Sequence, residues 1–377
     1  MAFRLSYFFA AVFLVIGIML PFWPVWLQSR GLTEIEIGIL LSAGMWVRAI
    51  SNPLIAQQSD RLGRPRNVLI VLGWGALLAH VAYIPTYGFW PLLVVSVLAY
   101  MLFSPIMSLG DAVTMLKVQQ GTIDYGRVRL WGSWTFIFAA ILGGELIEGK
   151  PVDFILWLVI GSLVLLVIGC HLVPPTRTPG TTTFFAPLKE ITRNRKLMLF
   201  MFTAGILQAS HGVYYGFATL HWQAAGLSTL TIGILWAEGV IAEILLFAFS
   251  GKVMRHIGPI GMLAIAAAAG LVRWCTLSMT VSLPALFAVQ GLHAFTFGAV
   301  HLAAMHYIAT NVPTTFSATA QSLYSSTAQG CLMAASMVLS GWLYTEFSGK
   351  AFSAMAIFSI MGGLLTVALW LKHNSKN

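Results

Sequence analysis

Residues 31–40 read Gly31-Leu32-Thr33-Glu34-Ile35-Glu36-Ile37-Gly38-Ile39-Leu40, and residues 226–235 read Gly226-Leu227-Ser228-Thr229-Leu230-Thr231-Ile232-Gly233-Ile234-Leu235. The two strings align at an offset of 195 residues. The same offset superimposes Gly17, Phe22, Gln28 and Gly44 on Gly212, Phe217, Gln223 and Gly239. One register kept through two apolar stretches and the loop between them marks an internal duplication of half the chain.

Working outward, the composition says what kind of stretch is being repeated. Of 377 residues, 58% are hydrophobic and only 9% are charged. A soluble domain carries about a quarter charged residues, so most of this surface must face lipid. A spanning helix takes roughly 20 apolar residues. About twelve such stretches are present, at 5–27, 34–57, 67–86, 91–115, 128–148, 153–173, 196–222, 229–250, 260–280, 283–308, 317–344 and 351–371. None alternates with the period of a barrel strand. The expected fold is therefore an all-α integral membrane protein with twelve transmembrane helices in two pseudo-symmetric six-helix halves. The first stretch follows Arg4 as a signal sequence would, but it runs through Pro21 and Pro24 without a small-residue cleavage site, so it reads as a retained span. Cys170, Cys275 and Cys331 lie far apart in apolar runs and read as small core residues.

Charge orients the helices. With the N-terminus in the cytoplasm, 16 Lys and Arg fall on cytoplasmic segments and only Arg30, Lys150 and Lys350 fall outside. That bias places both termini in the cytoplasm and accounts for the net charge of +9 without any nucleic-acid partner. The longest polar segment is rich in Pro and Thr. It divides the chain into an N-terminal half (1–173), a cytoplasmic linker (174–195) and a C-terminal half (196–377).

A six-helix unit repeated in the same orientation is the parallel-repeat plan of major facilitator transporters, in which solute binds at the interface of the halves. After the second stretch, Ser59-Asp60-Arg61-Leu62-Gly63-Arg64-Pro65-Arg66 resembles the loop signature of that superfamily, with Ala56 in place of its first Gly and Pro65 inserted before Arg66. More specific strings are Leu20-Pro21-Phe22-Trp23-Pro24-Val25-Trp26-Leu27, Tyr125-Gly126-Arg127-Val128-Arg129-Leu130-Trp131-Gly132-Ser133, His211-Gly212-Val213-Tyr214-Tyr215-Gly216-Phe217 and His301-Leu302-Ala303-Ala304-Met305-His306-Tyr307. Together they resemble the phenylpropionate porter family of the major facilitator superfamily, nearly end to end. The resemblance implies proton-coupled uptake of an aromatic monocarboxylate across a bacterial inner membrane.

Buried charge supplies the candidate site, because an ionised side chain at mid-bilayer costs about 2.5–3.5 kcal/mol on insertion scales. The offset of the repeat pairs Arg48 with Glu243 and Asp60 with Arg255. Arg48 and Glu243 each lie roughly 21 Å along their helices at 1.5 Å per residue. Glu238 precedes Glu243 by five residues, about 140° around the helix, so the two carboxylates need not share a cavity. Arg273 and His293 sit mid-stretch. A Glu, an Arg and a His on the eighth, ninth and tenth helices also resemble the placement in oligosaccharide–proton symporters. The proton-coupling candidates are Glu238, Glu243 and His293, with Glu238 taking up the proton. The alternative is a permanent pair of Glu238 with Arg273 that holds helices together. Arg48 is the candidate anchor for a carboxylate, since a guanidinium binds one bidentately. Its alternative is a lasting pair with Glu243.

Polar stripes at helical spacing complete the picture. Tyr100, Ser104, Ser108 and Asp111 line the fourth helix, Gln208, His211, Tyr215 and Trp222 the seventh, and Gln290, His293, Phe297 and His301 the tenth. Substrate contacts are expected from Arg48, Tyr100, Gln208, His211, Tyr215, Arg273, Gln290 and His301. Interhelical hydrogen bonding is the structural alternative for each. Gating is expected from Asp60, Arg61, Arg64, Asp111, Arg127 and Arg129, with Asp111 near Arg127 and Arg129. Trp23, Trp26, Trp90 and Trp222 read as interfacial belt residues.

No zinc-protease motif, nucleophile elbow or cofactor motif is present, so the reading is not an enzyme, with no metal and no cofactor. The expected partners are a small solute, a proton and the bilayer, for a monomeric protein. The competing readings are a proton-coupled sugar or nucleoside symporter, which would not need Arg48, and drug efflux. Efflux is disfavoured because Trp134–Ile147 lacks the proline-containing signature of antiporters.

Overall fold

The computed structural model describes residues 1–176, 191–313 and 317–374, and within these it leaves the side chains of Asp60, Ser317, Ala318, Gln329, His373 and Asn374 undescribed. The described chain is helical throughout. Spans 1 to 6 are Ala2–Ser29, Glu34–Leu62, Pro65–Val81, Phe89–Gln119, Tyr125–Ile147 and Phe154–Leu172. Span 7 comprises Arg195–Ala209 and Gly212–Ala224, and spans 8 and 9 are Thr229–Ala248 and Ser250–Met279. Span 10 runs as Leu283–Gln290, a π turn at Ala294–Gly298 and Ala299–Asn311. Span 11 runs as Ser317–Tyr324, a π turn at Ser325–Leu332 and Met333–Phe347, and span 12 is Ala351–Asn374. Ten helical stretches are long and apolar enough to cross a membrane. One of these stretches, Thr319–Lys372, contains both spans 11 and 12, and Pro65–Val81 is a shorter apolar helix of 17 residues. Together these account for the twelve stretches in the sequence.

The repeated strings fold alike for a local reason. Gly31 and Gly226 end spans 1 and 7 with φ of +83° and +87°, a conformation that only glycine adopts without a Cβ penalty. The hydroxyl residue two positions on then starts the next helix. Glu36 N–H lies 3.3 Å from Thr33 Oγ1, Thr231 N–H lies 3.2 Å from Ser228 Oγ, and Glu36 answers with its carboxylate on Thr33 N–H at 2.8 Å.

Breaks elsewhere have equally local causes. Gly258, with φ +68°, kinks the helix before Pro259. The basic stretch that carries Lys252, Arg255 and His256 is thereby a helix of its own ahead of the apolar span.

Packing divides the chain into two compact units, Met1–Thr182 with Trp222–Ala237, and Thr183–His221 with Glu238–Asn377. In the first unit, the opening turns of span 8 lie against the end of span 5. A Cβ at Gly233 would strike the Ala140 carbonyl, and one at Gly144 would strike the Thr229 carbonyl. Glu148, just past span 5, accepts from Thr229 N–H at 2.7 Å and from Thr229 Oγ1 at 2.5 Å. These bonds hold the Glu148 carboxyl below the usual range.

The aromatic residues required one correction. Trp23, Trp26 and Trp222 are buried, whereas Trp90 is exposed. Trp23 stacks on Trp26 at 4.6 Å with Tyr83 edge-on to both, and Trp26 Nε1 donates to Asp153 at 3.1 Å. Asp153 also pairs with Arg30 at 2.9 Å, and Arg30 lies over Trp26 and Tyr87. Indoles near a membrane boundary suit a belt or a packed core equally well by composition, and their faces here point into the bundle.

Candidate functional site

The second unit contains a buried polar cluster centred on Arg273. The guanidinium is completely shielded from solvent. Nη1 donates to His293 Nδ1 at 2.9 Å and to Thr296 Oγ1 at 3.1 Å, and Nη2 donates to Gln290 Oε1 at 2.9 Å. Gln290, His293 and Thr296 follow at intervals of three along span 10, ending in the π turn, and so wrap one side of the cation. Wide turns of this kind occur often at functional sites. Tyr214 and Trp274 cover its faces, with the guanidinium carbon 4.4 and 4.8 Å from the ring centroids.

Donor chemistry sets the direction of every proton in the cluster. Arginine only donates, so His293 Nδ1 is bare and its proton sits on Nε2. Nε2 lies 2.8 Å from Glu243 Oε1 and therefore donates to that carboxylate. A second chain leaves Arg273 through Thr296, whose hydroxyl is 3.1 Å from His211 Nε2. His211 Nδ1 is 2.9 Å from the Gln208 carbonyl, which can only accept. The Nδ1 proton is thus on that side, and Thr296 donates to Nε2. A third chain runs through Gln290 Nε2 to the Tyr214 hydroxyl at 2.9 Å. Arg273 is the common source of all three chains. Its Nε is buried without a partner and so holds an unused donor.

The predicted residues Arg273, Gln290, His293, His211 and Glu243 are thus brought into one network. Gln208 flanks it, donating to the Phe297 carbonyl at 3.3 Å, and Tyr215 stacks on His211 at 5.3 Å. His301 stacks on Phe297 one turn further along. Glu238 feels the charge of Arg273, but no described ion pair joins the two. Its Oε2 is buried without a hydrogen-bond partner. Glu243 is bonded to His293.

Tyr214, Thr296 and Trp274 were not among the expected site residues. Tyr214 and Thr296 each lie three residues beyond a predicted histidine, so helical spacing from His211 and His293 was the signal that could have found them.

In the first unit, Arg48 is exposed on span 2, one turn from Gly44, against which the Tyr100 ring rests. Ser104 donates to Asn52 at 2.7 Å and lies 3.4 Å from Ser51, so the polar face of span 4 meets that of span 2. Among the gating candidates, Asp111 accepts from the Tyr125 hydroxyl at 3.0 Å and feels the charge of Arg129, which lies over Phe13. Arg127 was expected beside Asp111 too, but its side chain is exposed and only its backbone N–H is bonded, to Asp124. Asp124 caps span 5, and this turns residue 127 outward. Arg61 and Arg64 are exposed, and the Asp60 side chain lies outside the described residues. Among the described residues, no group of three His, Cys, Asp or Glu could hold a metal.

Residues 2–355 match the model of the MFS_1 like family. The chain belongs to that family. It is 36% identical over 94% of its length, and 93% of the relative's, to an Escherichia coli K12 protein described as "Probable 3-phenylpropionic acid transporter". It is 23% identical to the maltose permease of Geobacillus stearothermophilus, over 96% of this chain and 93% of the permease. Among solved structures it is similar to the nucleoside transporter NupG, with a TM-score of 0.84 at 14% identity, covering 98% of this chain and 98% of that one. It also resembles a bacterial homologue of the lysosomal transporter Spinster, with a TM-score of 0.74 at 13% identity over 98% and 96% of the two chains. These likenesses give the MFS_1 like chain the major facilitator fold. It is a multi-pass membrane transporter, not an enzyme.

Proposed function

We propose that the protein is a proton-coupled symporter that takes up a small aromatic monocarboxylate such as 3-phenylpropionate by alternating access, with both termini in the cytoplasm of a bacterial cell. The observation that carries the coupling is the bare Nδ1 of His293 facing Arg273. A proton delivered to Nδ1 converts an acceptor into a donor and expels Nη1 of Arg273. The imidazolium then pairs with Glu243, and Arg273 has one N–H of Nη1 released, in addition to its unused Nε, for a carboxylate. Proton and acid are admitted together because one makes room for the other. The groups facing His293 are Glu243 from span 8, Arg273 from span 9, His211, Tyr214 and Tyr215 from span 7, and Gln290 and Thr296 from its own span. The rings of Tyr215 and Phe297 beside the cluster suit an aromatic solute. The relative described as a 3-phenylpropionic acid transporter supports the same cargo.

The test is proton movement in proteoliposomes when 3-phenylpropionate is added outside without an imposed gradient. The external medium becomes alkaline with the wild type. Glu243→Gln abolishes this response while leaving solute exchange. The buried, unpartnered Oε2 of Glu238 favours a second reading, in which Glu238 carries the proton, and loss of the response in Glu238→Gln alone would select it. A response to nucleosides or sugars with none to phenylpropionate would replace the acid by a neutral solute.

Arg48 is proposed as a further contact for the acid carboxylate. Arg48→Lys keeps the charge but loses the bidentate fork. A charged hydrogen bond contributes about 1.5–3 kcal/mol, so apparent affinity for the acid should fall about tenfold or more, read as KM in vesicles at unchanged membrane content. An unchanged KM would remove Arg48 from the binding site.

A further inference from the structure

A second polar site lies in the first unit. Span 3 begins at Pro65, and Arg64, its N-cap, makes no side-chain cap bond. The positive end of the helix dipole is therefore uncapped by any side chain. Beside it, Arg64, Arg66, Asn67, Pro175 and Thr176 enclose a cavity of 370 Å³ between the start of span 3 and the segment that follows span 6. Arg66 is held in place by Nη2 donating to the His171 carbonyl at 2.7 Å, while its Nε is buried without a hydrogen-bond partner. Among the described residues, no ion pair is formed by Arg64 or Arg66. Two guanidiniums, a helix N-terminus and an orphaned N–H in one cavity suit an anion with several oxygens, a phosphate in particular.

What lies next to the cavity decides the source of that phosphate. His171 also receives Trp74 Nε1 at 3.2 Å on the exposed surface, so the outer faces of spans 3 and 6 adjoin there. From Trp74 the exposed face of span 3 continues through Val71 and Leu78, and that of span 6 through Leu165 and Ile168. These are apolar residues facing lipid. A basic cavity at the arginine-rich end of two helices whose adjoining outer faces are apolar has the layout of a headgroup pocket beside an acyl-chain track. We propose that the cavity binds the phosphate of an anionic phospholipid, with its acyl chains lying along the Trp74 face of spans 3 and 6.

The experiment is native mass spectrometry of the full chain, released from bilayers of mixed phosphatidylglycerol and phosphatidylcholine, with the retained lipid counted. Phosphatidylglycerol is retained in preference by the wild type, and the preference survives excess inorganic phosphate. Arg66→Gln weakens that preference about fivefold, one basic contact's worth, while Arg66→Lys largely keeps it. Thr176→Phe, which fills the cavity without altering charge, also removes the preference and serves if Arg66→Gln fails to fold. Equal retention of both lipids by the wild type, or a preference unchanged in Arg66→Gln and Thr176→Phe, overturns the proposal. Displacement of the lipid by inorganic phosphate alone reassigns the site to free phosphate and overturns the lipid as occupant.

Discussion

Arg273→Gln lowers driven uptake of the acid by about 100-fold or more. The substitution takes the donor away from His293, Thr296 and Gln290 at once and removes the cation behind the His293–Glu243 bond. Removing the charged member of a buried hydrogen-bonded network that includes an ion pair costs about 3–5 kcal/mol, which is more than two factors of ten in an equilibrium constant. Part of that cost would appear as loss of protein from the membrane, so uptake must be measured per molecule inserted. The double variant Arg273→Gln/Glu243→Gln separates structure from coupling. With both charges gone the insertion penalty is relieved and membrane content recovers, yet uptake no longer responds to a pH gradient. Recovery of gradient-driven uptake in the double variant would reduce the pair to a structural role. Arg273→Lys keeps the charge, but a single ammonium cannot reproduce the fork that reaches three acceptors and two aromatic faces. It is expected to insert normally and to transport poorly.

Gly233→Leu forces the first turns of span 8 away from span 5. Even the Cβ of a side chain at 233 meets the Ala140 carbonyl, which is backbone and cannot rotate aside. Overpacking of this kind costs about 1–3 kcal/mol, or about a 5- to 150-fold shift between the packed and separated arrangements. The Glu148–Thr229 bonds separate with it. Under alternating access this contact is one that must break and reform in each cycle, so transport falls by a comparable factor. A cysteine at Thr229 would then become reactive to a membrane-impermeant maleimide. No gain in labelling, with transport intact, would show that the contact is dispensable. Acid offers a milder route to the same opening. Because Thr229 holds the Glu148 carboxyl below its ordinary range, the bonds persist above that range and are lost only as pH falls through the lowered value. Labelling of a cysteine at Leu230, divided at each pH by that of the same cysteine in Glu148→Gln to cancel the thiol's own titration, should stay flat through neutral pH and rise only at more acidic pH.

Both predictions rest on contacts that reading the chain alone located unevenly. The ring of hydrogen bonds around Arg273 was half visible. Mid-span charge marked Arg273, Glu243 and His293, and helical stripes marked Gln290 and His211. Thr296 and Tyr214 escaped because a hydroxyl in an apolar helix carries no charge penalty to draw attention. The glycine crossing of spans 5 and 8 was hidden for another reason. Gly144 and Gly233 look like any small residues in an apolar helix until a second backbone is seen to approach them.

By itself the sequence determined what is local and additive: twelve apolar stretches, the duplication behind them, and the turns at Gly31 and Gly226 that stop one span and start the next. Apolar length and the need to satisfy every backbone group within lipid leave no alternative to helices, and a left-handed turn selects glycine wherever it occurs. Only the tertiary structure decided which face of each helix is inside. It gave Glu243 to His293, left Glu238 Oε2 without a hydrogen-bond partner, and turned Trp23 and Trp26 into the core. In water the apolar face of a helix announces itself as the buried one. In lipid both faces are apolar, so the inward face is chosen by packing and by hydrogen-bond partners brought from distant spans.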